Sequence, residues 1–246
     1  MTSSRKPAAV VTGGSRGIGL AIAEALVGVG YATVVLDKHR DPAFDASPAM
    51  VQGGTFVEVD LGDTDRSAQV AREIAESTSV QIFVGNAAVY PREPLSTMAI
   101  TLHEEVQRVN VSGQLACLQP FIPGMKQRAL GRIAFVSSIT AFTGNVELGS
   151  YAASKAALIG LSHSLARELG PHGITVNCVA PGAIPTAAED PGPDPAATAA
   201  LILDRQVIKR RGAVSDIAEA VLFLTHGQSG FVSGQTLIVD GGWVMS

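Results

Sequence analysis

Cysteine is nearly absent from this chain: of 246 residues only Cys117 and Cys178 carry thiols, both in apolar surroundings, so there is neither a disulfide framework nor a thiolate cluster. Histidine is also sparse. The five imidazoles are scattered without ligand spacing, and no metal site is expected. Clustered positive charge is missing as well. With a net charge of −4 and no basic run, the chain lacks the phosphate-neutralising surface that a nucleic-acid partner needs. Long apolar runs do not occur; the longest are of strand length, well short of the ~20 residues of a membrane span. The opening Met-Thr-Ser-Ser-Arg-Lys-Pro carries no apolar segment of the signal-peptide kind, so a cytoplasmic protein is expected. These absences leave an organic cofactor as the expected source of any difficult chemistry.

What is present is a globular composition, 46% hydrophobic with a mean hydropathy of +0.27. Apolar strand-length segments alternate with helical patterns from end to end. This predicts βαβ units and one α/β domain over residues 1–246, a doubly wound seven-stranded parallel sheet with helices on both faces. Strands are expected near Ala8–Thr12, Thr33–Leu36, Thr55–Val59, Gln81–Val84, Arg132–Val136, Thr175–Val179 and Thr236–Val239. Helices are expected over Gly17–Val29, Thr64–Ser77, one long stretch from Leu102 to Lys126, Tyr151–Leu169 and Ser215–Thr225. Two stretches break the pattern. Lys38–Gly54, polar with two prolines, reads as a surface connection. Ala183–Arg211, with Pro185, Pro191, Pro193 and Pro195 around Glu189, Asp190 and Asp194, reads as a substrate lid.

The first strand runs into Thr12-Gly13-Gly14-Ser15-Arg16-Gly17-Ile18-Gly19 and then into a helix. Glycines there let the backbone approach a pyrophosphate, whose charge is met by free N–H groups and the helix dipole; Gly13, Ser15, Arg16, Gly17, Ile18 and Gly19 are the candidate contacts. Asp37 closes the second strand, 18 residues beyond Gly19. A carboxylate there accepts hydrogen bonds from the adenosine ribose hydroxyls and repels a 2′-phosphate, favouring NAD over NADP. Arg16, Lys38 and Arg40 stand close enough in sequence to supply counter-charge to such a phosphate. Asp60-Leu61 and Asn86-Ala87-Ala88 follow the third and fourth strands, at carboxyl ends where ligands bind in open parallel sheets; each is equally a turn former.

Farther along, Tyr151 and Lys155 are four residues apart in a helical run, which places phenol and ammonium on one face. A neighbouring ammonium favours phenolate, lowering the tyrosine pKa toward working pH and making it a usable acid or base. Alone, such a pair is also an ordinary amphipathic helix face.

The ordered set is more specific than its members. The glycine turn, Asp37, Asn86-Ala87-Ala88, Ser138 thirteen residues before Tyr151, Lys155, Pro181-Gly182-Ala183-Ile184-Pro185-Thr186 and the terminal Ser233-Gly234-Gln235-Thr236-Leu237-Ile238-Val239-Asp240-Gly241-Gly242 together resemble the short-chain dehydrogenase/reductase family over almost the whole chain. The resemblance implies a Rossmann-type fold and NAD(P)-dependent oxidation or reduction at a CH–OH group. It implies Tyr151 as the proton donor or acceptor and Lys155 as the group that tunes it and holds the nicotinamide ribose. It further implies Ser138, rather than Ser137, as the donor to the substrate oxygen, and Asn110 as the holder of a relay water. Pro181, Gly182, Ile184 and Thr186 match the segment that grips the carboxamide, and a homotetramer is the implied assembly.

The chain departs from the family pattern in two places. Gly85-Asn86-Ala87-Ala88 replaces the usual Asn-Asn-Ala-Gly, putting a methyl at Ala88, and Leu148 stands where many fatty-acid-synthesis members carry glutamine. Tyr90, Phe142, Val146, Leu148, Leu201 and Ile202 are candidates for an apolar pocket wall, with Arg92 and Glu147 able to read a polar end. The expectation is hydride transfer between NAD(H) and a small or medium, apolar or aromatic secondary alcohol or ketone. Two alternatives stay open: a 3-oxoacyl-(carrier protein) reductase, and a non-catalytic dinucleotide-binding protein.

Overall fold

The computed structural model describes residues 6–186, 194–227 and 229–245. Seven strands form one sheet: β1 (Pro7–Thr12), β2 (Ala32–Asp37), β3 (Gly54–Glu58), β4 (Ser79–Gly85), β5 (Gly131–Val136), β6 (Ile174–Pro181) and β7 (Thr236–Val239). Their order is β3-β2-β1-β4-β5-β6-β7 and every pairing is parallel. The chain therefore reverses its direction of winding beside β1, where β2 lies on one side and β4 on the other. Ligands of open α/β sheets settle at such a switch point.

The inner strands are mostly apolar because both their faces are covered, whereas the edge strands β3 and β7 are partly exposed. On β1, Val10 joins a core with Phe83, Phe135 and Val176, while its neighbour Val11 points the opposite way into a second core with Val35, Val84 and Val179. The first core is closed by α4 (Thr64–Ser77), α6 (Gly113–Leu118) and α9 (Gly149–Leu169) through Val70, Leu118 and Leu158. The second is closed by α1 (Gly17–Gly28) and α11 (Val214–Thr225) through Leu26 and Val221. Each such side chain contributes about 1.5–3 kcal/mol on burial, so the two cores hold the strand ends in register beneath the site.

Two expectations are corrected. The Lys38–Gly54 connection contains helices α2 (Pro42–Ala46) and α3 (Pro48–Gly53). Its prolines start helices instead of breaking them: each occupies a first helical position, where a missing N–H costs nothing, behind a capping side chain. Asp41 accepts from Ala43 N and Ser47 from Met50 N, and Phe44 and Met50 are buried. The single helix expected from Leu102 to Lys126 is a succession of α5 (Ile100–Gln107), a π-helical turn (Arg108–Ser112), α6, a 3₁₀ turn (Gln119–Phe121) and α7 (Ile122–Arg128). Pro120 and Pro123 cannot donate to the helical ladder, which explains the later break. The π turn carries Asn110 into the site.

Short helices α8 (Thr140–Thr143) and α10 (Pro195–Arg205) complete the set among the described residues. Pro191, Pro193, Glu189 and Asp190 of the expected lid lie outside the described residues. The ends of that excursion are defined. Gly182 N donates to Val239 O, Gln206 Nε2 donates to Asp240 O, and Val207 N and Ile208 N both donate to Gly241 O. Asp240 is itself locked, its carboxylate accepting from Gly242 N, Trp243 N and Val244 N. The guanidinium of Arg205 lies 5.1 Å from the Trp243 ring centroid.

Candidate active site

At the carboxyl end of β1 the chain turns sharply at Gly13, whose φ of +63° lies in the left-handed region and whose N–H bonds Leu36 O. A Cβ on Gly13 would stand 2.7 Å from Ala87 Cα, and one on Gly19 would run into Gly13 O and Asn86 Nδ2. The turn is thus packed against the Ala87 backbone and the Asn86 side-chain amide, a cradle that no side chain could share. No side chain caps the start of α1 at Arg16, so its first N–H groups remain available to an anion. The methyl of Thr186 lies 3.5 Å from the position a Cβ on Gly17 would take, bringing the end of the Pro181–Thr186 segment over the turn. Ile18 is half-buried and packs against the second core.

Asp37 is where the sequence predicts, at the end of β2. Ser15 donates to its Oδ2 from both backbone N (3.1 Å) and Oγ (2.7 Å), and Lys38 N donates to Oδ1 at 2.8 Å. Each nearby cation has a carboxylate of its own. Lys38 Nζ sits 2.7 Å from Asp60 Oδ2, Arg40 bonds Asp45 at 2.5 Å while lying over Phe44, and Arg16 is 3.9 Å from Asp41. The Lys38 contact raises the lysine and, with the Gly62 N–H, lowers Asp60. Both Asp60 oxygens are therefore engaged, Oδ1 accepting from Gly62 N. Leu61 is 4% exposed and part of the first core, so only its backbone faces a ligand.

Two residues that the sequence reading did not single out for the site hold the Asn86–Ala88 segment. The buried hydroxyl of Thr12 accepts from Asn86 N and Ala87 N and donates to Gln114 Oε1 at 2.8 Å; Gln114 Nε2 donates to Ala87 O. Asn86 Nδ2 reaches back to Thr12 O and Gly13 O. The available hint was a second amide four residues after Asn110 on the same helical stretch. Ala88 is half-buried at the rim.

Around Tyr151 the expected residues do converge. The Ser138 hydroxyl, which donates to Thr140 Oγ1 and accepts from Thr140 N at 3.1 Å each, lies close enough to the Tyr151 side chain to influence it, and the Lys155 ammonium lies 5.6 Å from the Tyr151 ring centroid. Neighbouring Ser137 is spent on the helix backbone, donating to Lys155 O at 2.9 Å. Asn110, fully buried on its π turn, spends its amide on protein: Oδ1 accepts from Val89 N, and Nδ2 donates to Val89 O and Ser154 Oγ. That is a clamp on the Val89 backbone, and Ser154 is its unforeseen partner.

The electrostatics run against the expectation of a lowered phenol. Burial pushes Tyr151 up to about 12; the nearby Ser138 hydroxyl opposes this and the Tyr90 phenol adds to it. Burial likewise pulls Lys155 down to about 8. The reason is geometric. Lys155 Nζ donates to Val136 O at 2.6 Å and stands at the face of the Tyr151 ring, so desolvation outweighs its attraction for a phenolate.

Comparison with known proteins identifies the family. A family model described as enoyl-(acyl carrier protein) reductase matches residues 13–244. The chain is 33% identical to the short-chain reductase protein NovJ of Streptomyces niveus, over 97% of this chain and 94% of that protein. It is 35% identical to a 3-oxoacyl-(acyl-carrier-protein) reductase of Salmonella typhimurium, over 96% and 97%. A solved Beutenbergia cavernae structure, described as an NAD(P)-dependent gluconate 5-dehydrogenase with NADP bound at low occupancy, superposes with a TM-score of 0.89 at 32% identity, covering 98% of each chain. No helix among the described residues is long and apolar enough to cross a membrane. A nucleotide cradle at the switch point, a Ser-Tyr-Lys cluster beside it and full-length similarity place this chain in the short-chain dehydrogenase/reductase family, as a nicotinamide-dinucleotide-dependent oxidoreductase acting on CH–OH groups.

Proposed function

We propose that the protein is an NAD(H)-dependent reductase or dehydrogenase of small to medium, apolar or aromatic ketones and secondary alcohols, with Asn110, Ser138, Tyr151 and Lys155 as its working residues. The observation that carries this is the gathering of Ser138, Tyr151 and Lys155, with the Lys155 ammonium 5.6 Å from the Tyr151 ring centroid, on a sheet whose switch point holds the Gly13–Gly19 cradle. A bound nicotinamide dinucleotide supplies or accepts the hydride. The residues to hold it are the free N–H groups at the start of α1, Asp37 on the adenosine ribose, the 86–88 backbone, and the Pro181–Thr186 segment.

In the reducing direction Tyr151 Oη donates its proton to the substrate oxygen while Ser138 Oγ hydrogen-bonds the same atom. A phenol raised to about 12 is fully protonated at neutral pH, the state this step requires. Lys155 then supplies positive charge beside the phenolate that remains. Asn110 acts through the Val89 backbone, fixing the wall next to Tyr151, while the relay water implied by family resemblance would have to approach its backbone.

Preference for NAD rests on Asp37 at the ribose position and on Lys38 and Arg40 being paired with carboxylates, which leaves little to balance a 2′-phosphate. The apolar side chains Phe142, Val146 and Leu148, in the segment just before Tyr151, suit a ketone better than a polyhydroxy acid. A second reading, reduction of a 3-oxoacyl group on a carrier protein, is favoured by the Salmonella relative and by the matching family description. A single domain with residues 183–211 over the substrate, a cytoplasmic homotetramer and no nucleic-acid partner complete the proposal. A panel of ketones, secondary alcohols and an acetoacetyl thioester, followed by cofactor absorbance with NADH and NADPH, tests it. Turnover of simple ketones with NADH is expected; activity confined to the thioester with NADPH would overturn it.

A further inference from the structure

Tyr90 is 42% exposed, yet its backbone has little freedom. Asn110 grips both the N–H and the C=O of Val89, and three residues after Tyr90 the Glu93 N–H donates to Glu147 O at 3.0 Å. That second tie joins the Tyr90 loop to the segment before Tyr151. It is made by a residue held at φ +65°, in the left-handed region a glutamate rarely adopts, and such strain persists only where surrounding contacts enforce it. The structure thus fixes a partly exposed aromatic ring at a defined place. That place is beside the reacting phenol: the Tyr90 and Tyr151 centroids are 5.8 Å apart with the rings inclined at 65°, an edge-to-face pair.

If Tyr90 served only to pack Tyr151, a more deeply covered side chain would do so at less cost, because the ring gains from burial only when something apolar lies against it. An aromatic substituent on the substrate extends the edge-to-face pair by a third ring. A saturated substituent gains area alone. We propose that Tyr90 determines specificity at this site, selecting substrates in which an aromatic ring is attached to the reacting carbon. This rests on the ketone reading above and narrows it to aryl ketones and the corresponding benzylic alcohols.

The test uses two ketones of equal carbon count, acetophenone and cyclohexyl methyl ketone, with the full-length native enzyme and the variants Tyr90→Leu, Tyr90→Met and Tyr90→Phe. NADH titration by fluorescence first identifies variants that still hold cofactor. The native enzyme is expected to favour acetophenone in kcat/KM. That ratio should fall about 2- to 10-fold in the Leu or Met variant and be kept in the Phe variant, which restores the ring. Equal losses on both ketones, as plain packing or a subunit contact would produce, overturn the assignment of Tyr90 and leave the ketone reading standing. No turnover of either ketone by the native enzyme overturns that reading, and the aryl inference with it.

Discussion

Replacing Lys155 by methionine separates what the ammonium costs the fold from what it gives the chemistry. Lys155 is 2% exposed and its pKa is pulled from 10.5 to about 8 by burial. At about 1.4 kcal/mol for each tenfold step, keeping it charged costs the native state on the order of 3 kcal/mol at neutral pH. Between about pH 8 and 10.5 the folded lysine is neutral while the unfolded one still carries its proton. The unfolded state then binds more protons, so stability rises with pH through that window. Over about pH 7 to 9.5 the native protein should gain about 2 kcal/mol relative to Lys155→Met, which has no such group. At neutral pH the variant sheds the charging cost but leaves Val136 O without its donor, a loss of about 1–3 kcal/mol, so the two proteins should differ little there. Urea unfolding without cofactor, at one protomer concentration and several pH values, measures this directly. Parallel pH profiles for the two proteins would refute the claim that burial depresses this lysine. Turnover of the variant should be lost regardless.

Tyr151→Phe should retain NADH binding by fluorescence titration while turnover falls about 10²- to 10⁴-fold, the usual worth of a positioned proton donor. Thr12→Val strips the hydroxyl from three partners at once and should destabilise by about 1–3 kcal/mol in urea unfolding, with weaker cofactor binding because the Asn86–Ala88 backbone loses its tie. Asp37→Ser should shift the NADH-to-NADPH ratio of kcat/KM toward NADPH; an unchanged ratio would remove Asp37 from the ribose site.

The sheet was legible because inner parallel strands, buried on both faces, are written as apolar runs, while the partly exposed edge strands β3 and β7 were placed by their alternation with helical segments. Segment Lys38–Gly54 was misread because proline is ambiguous without its neighbour: Asp41-Pro42 and Ser47-Pro48 are cap-and-start pairs that resemble turns. The spacing of Tyr151 and Lys155 revealed a shared helix face, but not that the ammonium would be committed to Val136 O, since that bond depends on how α9 sits against β5. Thr12 and Gln114 are 102 positions apart, and such contacts leave no local pattern to read.

The excursion between β6 and α11 leaves the sheet at Gly182 and is recaptured at Gln206–Ile208, and both points bond to the same short piece of backbone, Val239–Gly241. The two attachment points act as sockets: the bonds that hold them are made to Val239–Gly241 by Gly182 and by Gln206–Ile208, not by the residues between. On the proposal that residues 183–211 cover the substrate, exchanging this segment should change substrate choice more than it changes the sheet. A graft of the corresponding segment from the Salmonella relative between Gly182 and Gln206 should leave the thermal midpoint within a few degrees while altering substrate preference; a collapse of the fold would show that the sockets alone do not suffice.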